Sequence, residues 1–102
     1  MKVLFVCSAG MSSAIAVNAL KAEAEKEGLE IEVSAVGSQE FPEEIKNGWD
    51  VAMVAPQIRH RYNLLEESAK AVNVPIALIA PRAYSPLGGK MLLAQVKELL
   101  NK

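Results

Sequence analysis

Four apolar runs of strand length alternate with segments of helical periodicity along the 102-residue chain. The runs occupy residues 3–6, 30–36, 51–55 and 74–80. Strands that alternate with helices predict a parallel sheet joined by right-handed crossovers. The length is that of one ordinary domain, so we expect a single domain over residues 1–102.

The first and third runs are continuously apolar, as expected for strands covered on both faces. The second run alternates, with Ile31, Val33 and Ala35 on one face, which is typical of a half-solvated edge strand. A strand order of 2-1-3-4 satisfies these requirements. The predicted fold class is therefore α/β, a three-layer open four-stranded parallel sheet with helices on both faces.

Helical periodicity covers residues 13–27 and 59–72 and returns near the end of the chain. In the first helix, we expect an inner face of Ile15, Ala19 and Ala22, with further apolar residues beside it. Gly28 is suited to end this helix in a left-handed turn. In the second helix, the predicted inner stripe consists of Tyr62, Leu65, Ala69 and Val72.

Composition excludes several classes of function. The net charge of −1, from 11 basic and 12 acidic residues, recruits neither nucleic acid nor an anionic membrane surface. One cysteine and one histidine predict no internal disulfide, no metal site and no cofactor held by such ligands. The first apolar run is too short for an export signal, and no run is long enough to span a membrane. We therefore expect a cytoplasmic protein without direct membrane insertion.

The turn after the first strand carries the strongest chemical signal. Cys7, the single cysteine, ends the strand, and small or hydroxyl-bearing residues follow it before the first helix. Backbone amides in such a turn and the N-terminus of the next helix form a site for anions, and they stabilise a thiolate. We expect Cys7 to be the catalytic nucleophile and the following residues to bind phosphate: Ser8, Ala9, Gly10, Met11, Ser12 and Ser13.

Two further segments reach the same edge of the predicted sheet, because each follows a parallel strand. Gln57 and Arg59 come after the third strand, and Tyr84 comes after the fourth. These three are candidate contacts for a partner or a phosphate. His60 is interpreted as a solvated residue at a helix start, and Trp49 as a packing anchor before the third strand.

The cysteine turn resembles the C-x5-R phosphate loop of low-molecular-weight tyrosine phosphatases and arsenate reductases. The sixth residue after Cys7 is Ser13, however, so the guanidinium that neutralises the transferring phosphoryl group is missing. This difference favours a relay of the phosphoryl group over its hydrolysis.

Over its whole length, the chain resembles the enzyme IIB component of the lactose/cellobiose/chitobiose class of the sugar phosphotransferase system. The resemblance rests on the apolar strand followed by Cys-Ser-Ala-Gly-Met-Ser-Ser, on residues 55–59 and, more weakly, on Ala83-Tyr84. It implies that Cys7 accepts phosphoryl from a phosphohistidine on a IIA protein and passes it to a sugar held by the membrane component IIC. Residues around Tyr84 depart from the family pattern.

Two alternatives stay open at this point. One is an enzyme like the low-molecular-weight phosphatases or arsenate reductases. The other is a non-enzymatic anion-binding regulatory domain in which Cys7 is structural, since a lone cysteine after an apolar strand is often a small core residue.

Overall fold

The computed structural model describes residues 1–7, 14–85 and 87–100. Within these ranges, the strands form one parallel sheet in the order β2-β1-β3-β4. The strands are β1 (Lys2–Cys7), β2 (Glu32–Gly37), β3 (Val51–Val54) and β4 (Ile76–Leu78). The predicted fold class and strand order are confirmed.

Helices connect successive strands and cover both faces of the sheet. The α-helices are α1 (Ala14–Lys26), α2 (Phe41–Glu44), α3 (Tyr62–Ala71) and α4 (Gly89–Leu100). Short 3₁₀ segments occupy Ile45–Asn47, Pro56–Arg61 and Pro81–Ala83. The predicted helix at 59–72 therefore begins as a 3₁₀ segment that breaks at Ile58 and becomes α-helical only at Tyr62.

Two apolar clusters hold the layers together, because side chains on a strand alternate between the faces of the sheet. On one face, strand residues such as Phe5 and Met53 pack with side chains of α1 and α4. On the other face, residues such as Leu4 and Val54 pack with side chains of α2 and α3. The central strands are buried on both faces, which explains their continuous apolar sequence.

Backbone hydrogen bonds extend past the strand ends and align the carboxyl edge of the sheet. The amide of Ala55 donates to the carbonyl of Val6 at 2.9 Å, and the amide of Ile79 donates to the carbonyl of Val54 at 2.9 Å. The segments that leave β1, β3 and β4 consequently start side by side. Strand order reverses between β1 and β3, which is where ligands bind in open parallel sheets.

The inner face of α1 differs from the prediction. Ala16, Val17, Leu20 and Ala24 are buried, whereas the side chain of Ile15 is 55% exposed. The alanines of α1 are distributed around all sides of the helix, so its apolar pattern defines no single inner face. Its orientation is set by tertiary contacts, notably a close approach of its Ala19 to the start of α4.

Both α1 and α3 end in left-handed turns. Gly28 has φ +70°, and the amide of Leu29 donates to the carbonyl of Ala24 at 2.9 Å, which confirms the predicted glycine end of α1. Asn73 takes the equivalent position after α3 with φ 59°, and the amide of Val74 donates to the carbonyl of Ala69. Asparagine is the side chain that most readily replaces glycine there.

Trp49 lies at the amino edge of the sheet, directly before β3. It is buried in the cluster beneath α2 and α3, and the Lys2 ammonium lies 4.7 Å from the centre of its ring. The Lys2 amide also donates to the Asp50 carboxylate at 2.7 Å. The prediction that Trp49 is a packing anchor is confirmed.

Tyr62 links the start of α3 to the edge strand β4. Its hydroxyl donates to the carbonyl of Ile76 at 3.1 Å. Burial, and then the nearby Glu66 carboxylate, raise the pKa of the Tyr62 phenol above its ordinary value of 10.0. A raised pKa means that folding favours the neutral phenol, so this contribution to stability is present below pH 10 and is lost as the pH rises above it.

We expect Tyr62→Phe to lower the free energy of unfolding at pH 7 by about 0.5–1.5 kcal/mol, the usual value of one hydrogen bond. Above pH 10, the stability of the wild type should fall more steeply than that of the variant, because only the wild type has this phenol to ionise. Urea unfolding followed by circular dichroism at several pH values measures both effects. Parallel pH profiles for the two proteins would contradict the assignment.

Candidate functional site

Cys7 is the last residue of β1 and lies in the middle of the carboxyl edge of the sheet. It pairs in register with Gly37 of β2, while Val6 pairs with Val54 of β3. The predicted nucleophile therefore stands next to the point where strand order reverses. Cys7 has this position because it directly follows the first apolar run, residues 3–6, which forms most of β1.

The Cys7 side chain is fully buried, with 0% of its surface exposed. It belongs to the apolar cluster that includes Ala55 at the end of β3 and Ile58 in the following segment. A sulfur atom that exchanges phosphoryl groups has to be reached by its donor. The predicted role of Cys7 as a nucleophile therefore requires its sulfur to become accessible to the donor.

The predicted phosphate-binding residues, 8–13, lie outside the described residues. Their assignment stays a prediction from the sequence. The structure describes the two elements that flank them, namely the end of β1 and the start of α1 at Ala14.

The segment after β3 presents polar side chains at this edge, as predicted. Ile58 is only 2% exposed and packs in the same cluster as Cys7. Its neighbours Gln57 and Arg59 are exposed. The backbone of Ile58 departs from helical geometry, with φ −116° and ψ 27°. One buried side chain thus holds the segment against the sheet while its neighbours face solvent.

The segment after β4 brings Tyr84 to the same edge. Tyr84 is half-buried and packs against both apolar clusters, including the one that contains Cys7. Ala83 beside it is fully buried, and Arg82 is exposed. The structure therefore brings Cys7, Gln57, Arg59 and Tyr84 to one edge, where Tyr84 also contributes to the core.

Arg82 is a candidate that the sequence analysis missed. One pattern in the sequence could have revealed it. All three arginines of the chain follow either the third or the fourth apolar run. His60, between Arg59 and Arg61, is exposed, as predicted.

Neither a metal centre nor a membrane span is found in the part of the chain that the structure describes. Across residues 1–7, 14–85 and 87–100, no three acidic, histidine or cysteine side chains are grouped so that they could hold a metal ion. No helix in the same ranges combines the length and the apolar character needed to cross a membrane.

Comparison with known proteins gives a consistent match. Residues 2–95 match the family model described as the PTS system, lactose/cellobiose-specific IIB subunit. The chain is 30% identical over 99 residues to the oligo-beta-mannoside-specific EIIB component of Bacillus subtilis, with coverage of 97% of this chain and 95% of that protein. It is 23% identical over 103 residues to the cellobiose-specific EIIB component of Lactococcus lactis, again covering 97% of this chain and 95% of that protein.

Solved structures agree with this match. The cellobiose-specific phosphotransferase IIB component from Borrelia burgdorferi is 29% identical and superposes with a TM-score of 0.78 over 99% of this chain and 92% of that one. The lactose-specific IIB domain from Streptococcus pneumoniae has the same fold at 21% identity, with a TM-score of 0.77 over 92% of this chain and 95% of that one. The chain therefore belongs to the lactose/cellobiose-specific IIB family of the sugar phosphotransferase system, the family that the sequence motifs indicated.

Proposed function

We propose that this protein is a phosphocarrier that accepts a phosphoryl group on Cys7 and passes it to a sugar. The observation that carries the proposal is the position of the single cysteine, at the end of β1 and at the strand-order reversal of a IIB fold. The donor is a phosphohistidine on a IIA protein. The acceptor is a disaccharide of the cellobiose, chitobiose or lactose type, held by the membrane component IIC. Such a carrier works in the cytoplasm without entering the membrane.

Two exchanges of bonds make up the proposed reaction. In the first, the Cys7 sulfur attacks the phosphorus atom, an S–P bond forms as the N–P bond of phosphohistidine breaks, and the thiol proton goes to the departing imidazole. In the second, a sugar hydroxyl oxygen attacks the phosphorus atom, an O–P bond forms as the S–P bond breaks, and the hydroxyl proton goes to the departing sulfur, which restores the thiol. No oxidant, metal or cofactor is required for this balance.

The amides of residues 8–13 and the start of α1 are the proposed donors to the phosphoryl oxygens. A hydrogen bond donated to a thiolate stabilises the charged form by about 1.5–3 kcal/mol. Ser13 in place of an arginine leaves the phosphoryl group less firmly held than in a phosphatase loop, which suits onward transfer.

Incubation with phosphorylated IIA tests the proposal directly. Intact-mass and peptide mass spectrometry should find one phosphoryl group, located on Cys7. Free phosphate should appear slowly unless IIC and a sugar are added. Rapid release of phosphate by the protein alone would instead assign it to the phosphatase class.

One observation favours the alternative in which Cys7 is structural, namely the complete burial of this residue. A thiol in the core reacts slowly with reagents that reach an accessible one. We expect iodoacetamide to modify Cys7 of the free protein at least about tenfold more slowly than in the urea-unfolded chain, because burial excludes the reagent.

Unphosphorylated IIA separates the two interpretations. If Cys7 serves as a carrier, binding of IIA should accelerate the modification, because docking has to give access to the sulfur. Modification that stays slow at saturating IIA, together with no phosphoryl label, would establish the structural role.

A further inference from the structure

The three arginines of the chain all lie in segments that leave the carboxyl edge of the sheet. Arg59 and Arg61 belong to the segment after β3, and Arg82 belongs to the segment after β4. β3 and β4 are neighbours, and β1 with Cys7 lies directly beyond β3. Adjacent strands are about 4.8 Å apart, so β4 and β1 are separated by about 10 Å at this edge. We call Arg59, Arg61 and Arg82 the arginine surface.

The positive charges of the arginine surface are not neutralised by acidic residues in the segments that carry them. All three side chains are exposed, and no acidic residue occurs in either of the segments that carry them. Within the described ranges, the five ion pairs all use lysines, and none uses an arginine. Each guanidinium is therefore available to an external anionic group.

Several lysines, by contrast, lie at the other end of the molecule and are already paired. Lys26 and Lys70 occupy the last turns of α1 and α3, which run back from the carboxyl edge to the amino edge. Lys46 precedes β3 at the same amino edge. The ammonium of each lies within 4.0 Å of the carboxylate of a glutamate three or four residues earlier in the chain.

The carboxyl edge is also polarised across Cys7. Glu40 follows β2 on one side of β1 and is exposed, and the arginine surface lies on the other side. A partner whose charges match this arrangement is oriented, because the reversed orientation would place like charges against each other.

We propose that the arginine surface is the docking site for acidic side chains around the phosphohistidine of the donor protein, and that it raises the rate at which the two proteins associate. This inference rests on the proposed function and adds to it the residues that select and orient the donor. Arginine suits this role, because its planar guanidinium binds carboxylate and phosphoryl oxygens through two parallel hydrogen bonds. Exposed charges at the rim of an interface mainly raise the association rate, by 10-fold or more at low salt.

The test compares two variants that lose the same charge at opposite ends of the protein. The first is Arg59→Gln/Arg61→Gln/Arg82→Gln, and the matched control is Lys26→Gln/Lys46→Gln/Lys70→Gln. The measured quantity is the initial rate at which phosphorylated IIA, at a concentration below saturation, transfers phosphoryl to Cys7. Sodium chloride is varied from about 50 to 500 mM, a range over which the screening length falls below the size of an interface.

At low salt, we expect transfer to the arginine variant to be at least about tenfold slower than transfer to the wild type, and the control to stay within about twofold. The difference should shrink as salt rises. At saturating donor, the single-turnover rate of the arginine variant should equal that of the wild type, since the arginines act before the chemical step. A positioning role at the reacting atoms would lower that rate as well, which would overturn the proposal.

Other outcomes separate this inference from the proposed function. A wild type that takes no label overturns both. A wild type that is labelled, with equal rates for the arginine variant and the control, overturns the docking proposal alone. Equal donor rates together with arginine-dependent binding to vesicles of anionic lipid would assign the surface to the membrane instead.

Discussion

Cys7→Ser should abolish the transfer of phosphoryl from phosphorylated IIA and, with it, the phosphorylation of sugar by the assembled system. The substitution changes one atom at the end of β1 and replaces a thiol by a hydroxyl, a much weaker nucleophile near neutral pH. Loss of the residue that forms the covalent intermediate lowers turnover by on the order of 10³-fold or more. The measurement is the rate of sugar phosphate formation with IIA and IIC present, together with the mass of the IIB chain.

Stability has to be followed in the same experiment, because Cys7 is buried in an apolar cluster. A hydroxyl is more costly than a thiol to bury among apolar side chains, so we expect Cys7→Ser to lower stability by about 1–3 kcal/mol. Cys7→Ala avoids that penalty and serves as the second variant, with urea unfolding to show that it is folded. Both variants should be inactive, and the alanine variant should remain folded under the assay conditions.

His60→Gln tests whether the histidine, and not Cys7, accepts the phosphoryl group. His60 is exposed at the same edge and is the only histidine in the chain. The His60→Gln variant should be labelled and active like the wild type. Label on the folded Cys7→Ala variant, with loss of label in His60→Gln, would transfer the acceptor role from the cysteine to the histidine.

The prediction of the sheet succeeded because the decisive signals were local. Residues 3–6 and 51–55 are uninterrupted by polar side chains, which only strands covered on both faces require. The alternation of Ile31, Val33 and Ala35 marked β2 as an edge strand. Crossover handedness and the positions of these strands then left few topologies to choose from. The place of Cys7 at the carboxyl edge followed from the fold.

The errors occurred where tertiary contacts decide the outcome. Ile15 was expected inside and is exposed, because the packing of α1 against α4 rotates an alanine-rich helix that has no dominant apolar stripe. The 3₁₀ segment before Tyr62 depends on Ile58 packing next to Cys7, a contact between residues far apart in sequence. Arg82 joins Arg59 at one surface only after β3 and β4 are paired.

The contact between α1 and α4 gives the largest expected change in stability. A β-carbon at Gly89 would lie 2.3 Å from the carbonyl oxygen of Ala19, well inside any permitted contact. Because the obstructing atom belongs to the backbone, no change of the side chain at position 19 relieves the clash. Gly89→Ala therefore forces the two helices apart, although alanine favours a helix more than glycine does.

We expect Gly89→Ala to lower the free energy of unfolding by about 2–3 kcal/mol, as overpacking of a core contact does. For a domain of this size, the melting temperature should fall by about 10–20 °C. Calorimetry and urea unfolding measure the change. Gly48→Ala is the control, because Gly48 has φ +85° and no atom within 4 Å of an added β-carbon. Gly48→Ala therefore introduces only backbone strain, which lowers the free energy of unfolding by about 1–2 kcal/mol.

Gly89→Ala should also affect the candidate functional site, because α1 begins at the carboxyl edge next to the predicted phosphate-binding residues. Displacement of α1 moves its N-terminus relative to Cys7, so transfer to Gly89→Ala should be slower than to Gly48→Ala even at a temperature where both are folded. A Gly89→Ala protein as stable as the wild type would show that the helices have room between them. Reduced stability with an unchanged transfer rate would show that the position of α1 does not govern the chemistry at Cys7.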